Sequence, residues 1–163
     1  ALAACGVPGV TLKWPNDILF NDAKLGGVLV ELSGDAEQAR AVIGIGLNLR
    51  QLALPDSGEM MMPVTALDAI VAEIPERSRL LASMLIELAA VFDTFSVHGF
   101  AALRQEWQAC HAWQDRPVRV LRNGVVEKEG VCRGADGDGA LRIEIDGQVE
   151  RCLSGDVSLR AAP

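Results

Sequence analysis

Lys24 is the residue in this sequence best placed to do chemistry, because a glycine pair, Gly26 and Gly27, follows it at the start of an apolar run. Glycines in a strand leave the backbone bare, so a flat ligand can lie directly against it. An ammonium group beside that backbone can then neutralise the anionic end of the ligand. Beside Asn21 and Asp22 in a turn, however, a lysine is more often only a solvated charge.

A second pair of glycines, Gly44 and Gly46, alternates with Asn48 along the next apolar run. Strand alternation predicts that Asn48 faces the side that the glycines leave open, where its carboxamide suits the edge of an adenine ring. The dinucleotide-binding fingerprint fails, because its third glycine would fall at Leu49. Two simpler interpretations stay open: close packing of another backbone on the glycines, and an asparagine that bonds to a neighbouring turn.

Residues 13–17 read Lys-Trp-Pro-Asn-Asp and join the end of a predicted strand to a turn. Asn16 and Asp17 are residue types that favour turns. They could meet Lys24 across the following hairpin, or they could serve only to shape the turn.

Composition restricts the function classes. The chain has 163 residues and half of them are hydrophobic, which suits one domain or a medium domain with a small one. A net charge of −7 argues against nucleic-acid binding. We expect no membrane attachment, since charges interrupt the apolar runs and no leader is recognisable. The cysteines are scattered and the only histidines are His98 and His111, so no metal site is predicted. The cysteines are expected to be reduced thiols in a cytoplasmic protein.

A sheet is needed to position these residues. Residues 1–6 read as the end of a helix capped by glycine, and strands are expected at 10–14 and 18–20. The polar connection 21–24 makes the next run a hairpin partner. The apolar runs 26–32 and 41–49 are typical of strands covered on both faces, whereas 50–66, with three consecutive methionines at 60–62, reads as loop.

Helical spacing replaces the strand pattern after Pro75 and lasts until about Gly99. A second, shorter helix follows, with Phe100, Leu103 and Trp107 on one face. We expect both apolar faces to pack on the sheet.

Short strands separated by turn residues follow a boundary near Gln114 and predict an antiparallel meander. The run Asp-Gly-Asp-Gly at 136–139 lacks the later ligands of a calcium loop, so it is read as a hairpin turn. The predicted fold class is α+β, with a mixed β-sheet packed against helices in residues 1–114 and a small SH3-like barrel in residues 115–163.

Three motifs, taken in order, resemble the catalytic domain of biotin protein ligases. They are residues 13–17, the run Lys24-x-Gly26-Gly27 and the run Gly44-x-Gly46-x-Asn48. The closing segment 134–160 resembles the C-terminal part of the same enzymes. The resemblance implies activation of biotin with ATP to biotinyl-5'-AMP and pyrophosphate, followed by transfer to one lysine of a biotin carboxyl carrier domain. Magnesium is implied by the ATP chemistry rather than by a ligand cluster, and a homodimer is compatible with the resemblance.

The resemblance also implies roles for individual residues. Lys24 and Asp17 would be catalytic, with Lys24 neutralising charge on the biotin carboxylate and the α-phosphate. The expected biotin-binding residues are Lys24, Gly26, Gly27, Gly44 and Gly46, and the expected adenylate-binding residues are Asn16, Asn48 and Lys24.

One feature of the family is missing from the printed sequence. The family carries a loop of the type Gly-Arg-Gly-Arg-x-Gly upstream, and no such string occurs here. We therefore expect the C-terminal portion of a ligase, with weak or no activity on its own. A relative of the lipoate ligases and a non-catalytic binding module are the two alternatives.

Overall fold

The computed structural model describes residues 1–34, 40–51, 62–154 and 157–162. The first sheet contains four strands in the order β1-β2-β3-β4, each antiparallel to the next. Isolated parallel bridges add Val64 beside Lys24 and His111 beside Leu12. The strands of this sheet are β1 (Thr11–Lys13), β2 (Asp17–Phe20), β3 (Ala23–Ser33) and β4 (Arg40–Leu47).

The hairpin between β2 and β3 confirms the interpretation of residues 21–24. Asn21 and Asp22 both adopt positive φ, at 49° and 59°, as a two-residue turn of the I′ type requires. Asparagine and aspartate tolerate this conformation better than most residues. The turn sets Lys24 near the start of β3.

The prediction that β3 and β4 are covered on both faces is wrong. Leu29 is 59% exposed and Leu32 is 78% exposed on β3, and Val42 is 62% exposed on β4. A continuous apolar run reports the hydrophobicity of a strand and does not identify the element that covers it. In the described chain, the distal ends of both strands are open to solvent.

The long helix α1 (Arg77–Ala109) is broken at Gly99, whose φ of 64° and ψ of −169° are not helical. This confirms two consecutive helices that part at that glycine. The expectation that their apolar faces pack on the sheet is wrong for most of their length. Leu80 is the single buried residue of α1, while Leu81, Leu85 and Ile86 are exposed.

By length and composition alone, α1 is also apolar enough to cross a membrane, which is true of no other helix in the described residues. The apolar window of α1 is 6% buried in the described structure, so α1 is not a buried core helix. The absence of membrane attachment stays a prediction.

The second sheet has the order β8-β7-β6-β5-β9 and forms the predicted antiparallel meander, which β9 extends by pairing with β5. Residues 136–139 make the turn between β6 and β7, as predicted, with Gly139 at a φ of 90°. The α+β class is confirmed. The strands are β5 (Pro117–Arg122), β6 (Val125–Ala135), β7 (Leu141–Ile145), β8 (Gln148–Cys152) and β9 (Val157–Ala161).

Trp14 links the two sheets. It comes directly after β1, yet it is 3% exposed and packs in one buried cluster with Trp113, Val118 and Leu141, the last two of which lie on barrel strands. Its indole N–H donates a hydrogen bond of 3.1 Å to the carbonyl of Gly139. The core of the barrel is therefore completed by a residue from the first sheet.

His111 is buried in the same region and is held neutral. Its ring stacks on Trp107 with centroids 4.6 Å apart, and its Nε2 lies 3.5 Å from the backbone N–H of Trp14, which donates to it. Burial lowers the pKa of His111 to about 4. His111 therefore lies in the core, 6% exposed.

Burial of His111 predicts that the chain loses stability in acid. Between pH 6.5 and 4 the imidazole of His111 is protonated in the unfolded state but stays neutral in the folded state. The free energy of unfolding therefore falls as the pH falls, by about 3 kcal/mol in total from this group. Urea unfolding at stepped pH checks this. His111→Gln should flatten the pH dependence, and an equally steep loss in that variant would contradict the assignment.

Candidate active site

A hollow of about 450 Å³ lies on β3 and β4, where glycines remove the side chains from both strands. Its floor is the backbone of Gly27, Gly44 and Gly46. Lys24 and Asn16 stand at its edge, and the lining is completed by Val28, Leu29 and Ile45. Five of the predicted site residues are therefore brought together around one concave surface.

Strand register explains why these groups share one face. Lys13 pairs with Asp17, Asp17 pairs with Gly27, and Gly27 pairs with Gly46. Directly opposed residues in neighbouring antiparallel strands point to the same side of a sheet. One row across the sheet thus carries the charged side chains of Lys13 and Asp17 at one end. At the other end it has two glycines, Gly27 and Gly46, with no side chain.

Lys24 reaches this face through a β-bulge. It precedes Gly27 by three residues, so strict alternation would place it on the opposite side. The register between β2 and β3 shifts after Ile18, where the pairing passes from Gly26 to Lys24, and a bulge of this kind redirects a side chain. As a result, the Lys24 ammonium nitrogen lies 2.5 Å from the Asp17 carboxylate, beside Gly27.

Asp17 is shared by two ammonium groups. Its Oδ2 is paired with Lys13 and its Oδ1 with Lys24. Burial alone would raise the pKa of the Asp17 carboxyl, but the hydrogen bonds and charges of the two lysines together outweigh burial, and the pKa lies below its ordinary value. Asp17 is therefore an anion at neutral pH, and it meets Lys24 across the hairpin.

Lys13 is a charged residue of the site that sequence reasoning missed. It is 3% exposed, whereas 44% of the Lys24 side chain is exposed. Burial lowers the pKa of Lys13, and the Asp17 carboxylate offsets part of that effect. A strand pairing drawn across the turn at 14–16 would have placed Lys13 opposite Asp17, which is the pattern that could have identified it.

Asn16 is fixed at the edge of the hollow by two hydrogen bonds to the same residue of β3. Its side-chain amide donates to the carbonyl of Val28 at 2.9 Å, and its backbone carbonyl accepts from the N–H of Val28 at 2.8 Å. These bonds hold the turn 14–16 against the sheet and leave Asn16 in the lining.

Two predicted site residues do not line the hollow. The amide of Asn48 donates to the carbonyls of Lys24, at 3.3 Å, and Thr65, at 3.0 Å. Because β4 ends at Leu47, alternation no longer places Asn48 beside Gly46. Gly26 instead approaches the neighbouring strand, where a methyl group on it would lie 2.3 Å from the carbonyl oxygen of Gly46. In the described chain Gly26 thus packs closely on β4, and Asn48 bonds to neighbouring backbone carbonyls.

The contrast between these glycines gives a testable prediction. Gly26→Ala forces a methyl group into the backbone of β4 and should lower the free energy of unfolding by about 1–3 kcal/mol. Gly46→Ala should leave stability within about 1 kcal/mol, since the nearest atom to its added methyl lies 3.9 Å away. Urea unfolding of both variants measures the difference, and equal losses would refute the close approach at Gly26.

The described residues contain no preformed magnesium site. Among the described residues no group of three or more histidine, cysteine, aspartate or glutamate side chains could hold a metal ion. Both oxygens of Asp17 are already paired with lysines. The described residues therefore do not fit a protein-held magnesium ion.

Two family models match this chain, one after the other. Residues 1–109 match the biotin/lipoate A/B protein ligase family, and residues 115–160 match the biotin protein ligase C-terminal domain. The bifunctional ligase/repressor BirA of Escherichia coli is 34% identical over 99% of this chain and 50% of its own length. The biotin–acetyl-CoA carboxylase ligase of Paracoccus denitrificans is 36% identical over 85% of this chain and 58% of its own length.

Among solved structures, the biotin protein ligase from Aquifex aeolicus in complex with biotin and ATP has a TM-score of 0.81 at 27% identity, with 99% of this chain and 66% of that chain covered. The chain thus spans about half the length of the curated relatives that it matches. With a family match over residues 1–109, a second over the barrel and the same fold as a biotin-binding ligase, the chain belongs to the biotin/lipoate A/B protein ligase family and carries the C-terminal domain of the biotin protein ligases.

Proposed function

We propose that this chain forms one wall of the active site of a biotin protein ligase. The reaction joins biotin to ATP as biotinyl-5'-AMP with release of pyrophosphate, and then transfers the biotinyl group to a lysine of a biotin carboxyl carrier domain. The observation that carries the proposal is the glycine-floored hollow with Lys24 at its edge. Its volume of about 450 Å³ falls in the range of small-molecule sites.

The proposed chemistry places anionic groups beside Lys24. In the first step a biotin carboxylate oxygen attacks the α-phosphorus of ATP, and the bond to pyrophosphate breaks. Negative charge builds up on the phosphoryl oxygens, and a fixed ammonium group stabilises it. Lys24 suits this task because its side chain is partly exposed and is oriented by Asp17 rather than by the ligand.

The glycines are proposed to receive the flat part of the ligand. Side chains at Gly27, Gly44 or Gly46 would fill the hollow. Within the described residues, the nearest atom to a methyl group built on Gly46 is the carbonyl oxygen of Gly27, at 3.9 Å. Asn16 would contact the adenylate from the edge. We do not assign Asn48 and Gly26 to direct ligand contact, because both bond or pack elsewhere.

In the second step the acceptor lysine attacks the acyl carbon of the adenylate, and AMP leaves. The attacking amine must lose a proton, and Asp17, which is paired with Lys24 at the edge of the hollow, is kept ionised. We propose that the proton leaves to solvent and that Asp17 assists the amine through the electrostatic field that it shares with the lysines, because both of its oxygens are already paired. Magnesium would accompany the phosphates of ATP rather than occupy residues of the described chain.

Biotin is favoured over lipoate by a specific observation. The family that matches residues 1–109 includes both kinds of ligase, whereas the domain that matches residues 115–160 is named for biotin protein ligases alone. Trp14 also ties residues 13–17 to that barrel. We therefore propose biotin as the substrate. We also propose that the chain divides into residues 1–114 and 115–163, and that the protein is cytoplasmic and can form a homodimer.

Residues 1–163 alone are proposed to be weakly active. Ile45 of the lining is only partly buried and Leu29 is 59% exposed, so the hollow is shallow and a bound adenylate would stay open to water. Water must be excluded to protect such a reactive anhydride. The non-catalytic alternative predicts a chain that binds no adenylate at all.

The test compares residues 1–163 with the complete natural protein, each mixed with biotin, MgATP and a biotin carboxyl carrier domain. Transfer of biotin in the complete protein, with slow transfer in residues 1–163, supports the proposal. No transfer in the complete protein overturns the ligase function, and transfer of lipoate instead of biotin overturns the substrate. Calorimetry with a non-hydrolysable biotinyl-adenylate analogue separates the weak ligase from the binding module.

A further inference from the structure

Lys13 is the most deeply buried charged side chain among the described residues, at 3% exposed. Its ammonium group pairs with Oδ2 of Asp17 and lies 5.5 Å from the centre of the Trp113 ring. Burying an ammonium group is costly unless it is well paired, and a well-packed apolar residue often gives equal or better stability. The burial of a charge at this position therefore points to a task other than stability.

We propose that Lys13 is a positioning residue that holds Asp17, so that the other oxygen of Asp17 fixes the Lys24 ammonium group beside the bare backbone of Gly27. This inference rests on the proposed function and adds to it a residue that makes no contact with the hollow. The row from Lys13 through Asp17 to Gly27 is set by strand pairing. A lysine with 44% of its side chain exposed would otherwise sample many rotamers.

The charges around Asp17 show what Lys13 contributes. Lys13 faces the carboxylate from β1 and Lys24 faces it from β3. Arg160 on β9 lies near enough to Lys13 to repel it, and Lys24 repels it too. Among the described residues, the charged groups that act on Lys13 are one anion, Asp17, and two cations, Arg160 and Lys24. Without Lys13, the carboxylate would lose one of its two hydrogen-bonded partners and would be free to turn with Lys24.

Activity in the complete natural protein gives the first test, with biotin-dependent exchange of pyrophosphate into ATP as the assay. Lys13→Met should slow the exchange by about 10- to 100-fold, as expected for displacement of a catalytic group by about 1 Å. The acid limb of the pH profile should move to higher pH, because burial raises the pKa of Asp17 once Lys13 is gone. Lys128→Met is the matched control, since it removes a lysine paired with Glu150 on the barrel.

A double-mutant cycle separates positioning from simple support of the fold. In an Asp17→Asn background, Lys13→Met should cause no further loss of rate, because the carboxylate that Lys13 holds is absent. Independent losses that multiply would overturn the proposal. A rate for Lys13→Met equal to that of Lys128→Met would also overturn it.

The second test needs no enzyme activity. The Asp17 carboxyl is titrated by carbon-13 NMR in residues 1–163 carrying Lys24→Met, a change at a partly exposed side chain. If Lys13 holds Asp17, adding Lys13→Met to this variant should raise the pKa of the Asp17 carboxyl, because the remaining hydrogen bond and charge that lower it are removed. An unchanged pKa would refute the inference. A complete protein without any exchange activity would remove the proposed function, while this titration would still decide the role of Lys13.

Discussion

Lys24→Met is expected to slow formation of biotinyl-5'-AMP by about 100- to 1000-fold in the complete natural protein. The ammonium group stands at the edge of the glycine-floored hollow and is held by Asp17 at 2.5 Å. Methionine has nearly the same length and removes only the charge. Pyrophosphate exchange and single-turnover formation of the adenylate measure the effect.

The loss should appear mainly in kcat, because the charge that Lys24 stabilises exists fully only in the transition state. KM for biotin should rise less, since the glycine floor is unchanged. Lys128→Met, on the barrel, controls for the loss of a surface lysine. A Lys24→Met enzyme with an unchanged rate would remove the catalytic role, and a rise in KM alone would reduce that role to binding.

Trp14→Ala is expected to lower the free energy of unfolding by about 3–5 kcal/mol, the usual loss for a buried aromatic residue. The indole is 3% exposed and fills the space between the first sheet and the barrel core. The substitution also removes the hydrogen bond to the carbonyl of Gly139. Urea unfolding of residues 1–163, followed by circular dichroism, measures the change.

Trp14→Phe is the matched control for this prediction. It keeps most of the buried ring and removes the indole donor, so it should cost about 1 kcal/mol for the lost hydrogen bond plus a smaller packing loss. If alanine and phenylalanine cost the same, packing in the barrel core would not be the dominant contribution. A loss below about 1 kcal/mol for Trp14→Ala would contradict the joint core altogether.

The sequence was sufficient to predict the local structure around the site. The residue types of Asn21 and Asp22 predicted a turn that few residues tolerate. The structure forms this turn with both residues at positive φ. Three glycines predicted strand backbone without side chains beside the ligand. They lie together around one hollow: Gly27, Gly44 and Gly46. Such features depend on residues close in sequence, so residue type alone decides them.

Features that depend on register or on distant partners were harder to predict. The bulge after Ile18 rotates Lys24 onto the face of Gly27, and no residue at that point signals an extra position. Asn48 lies past the end of its strand, where simple alternation fails. The apolar runs predicted covered strands, but hydrophobicity does not reveal which element, if any, lies over them.

The burial of Trp14 in the barrel core has a consequence for how the chain can be divided. A truncation at residue 114 follows the limits of the two matched domains, but it would remove the barrel residues that bury the indole of Trp14. We therefore expect both regions to melt in a single cooperative transition. A fusion or domain exchange at this junction should preserve the tryptophan together with its barrel.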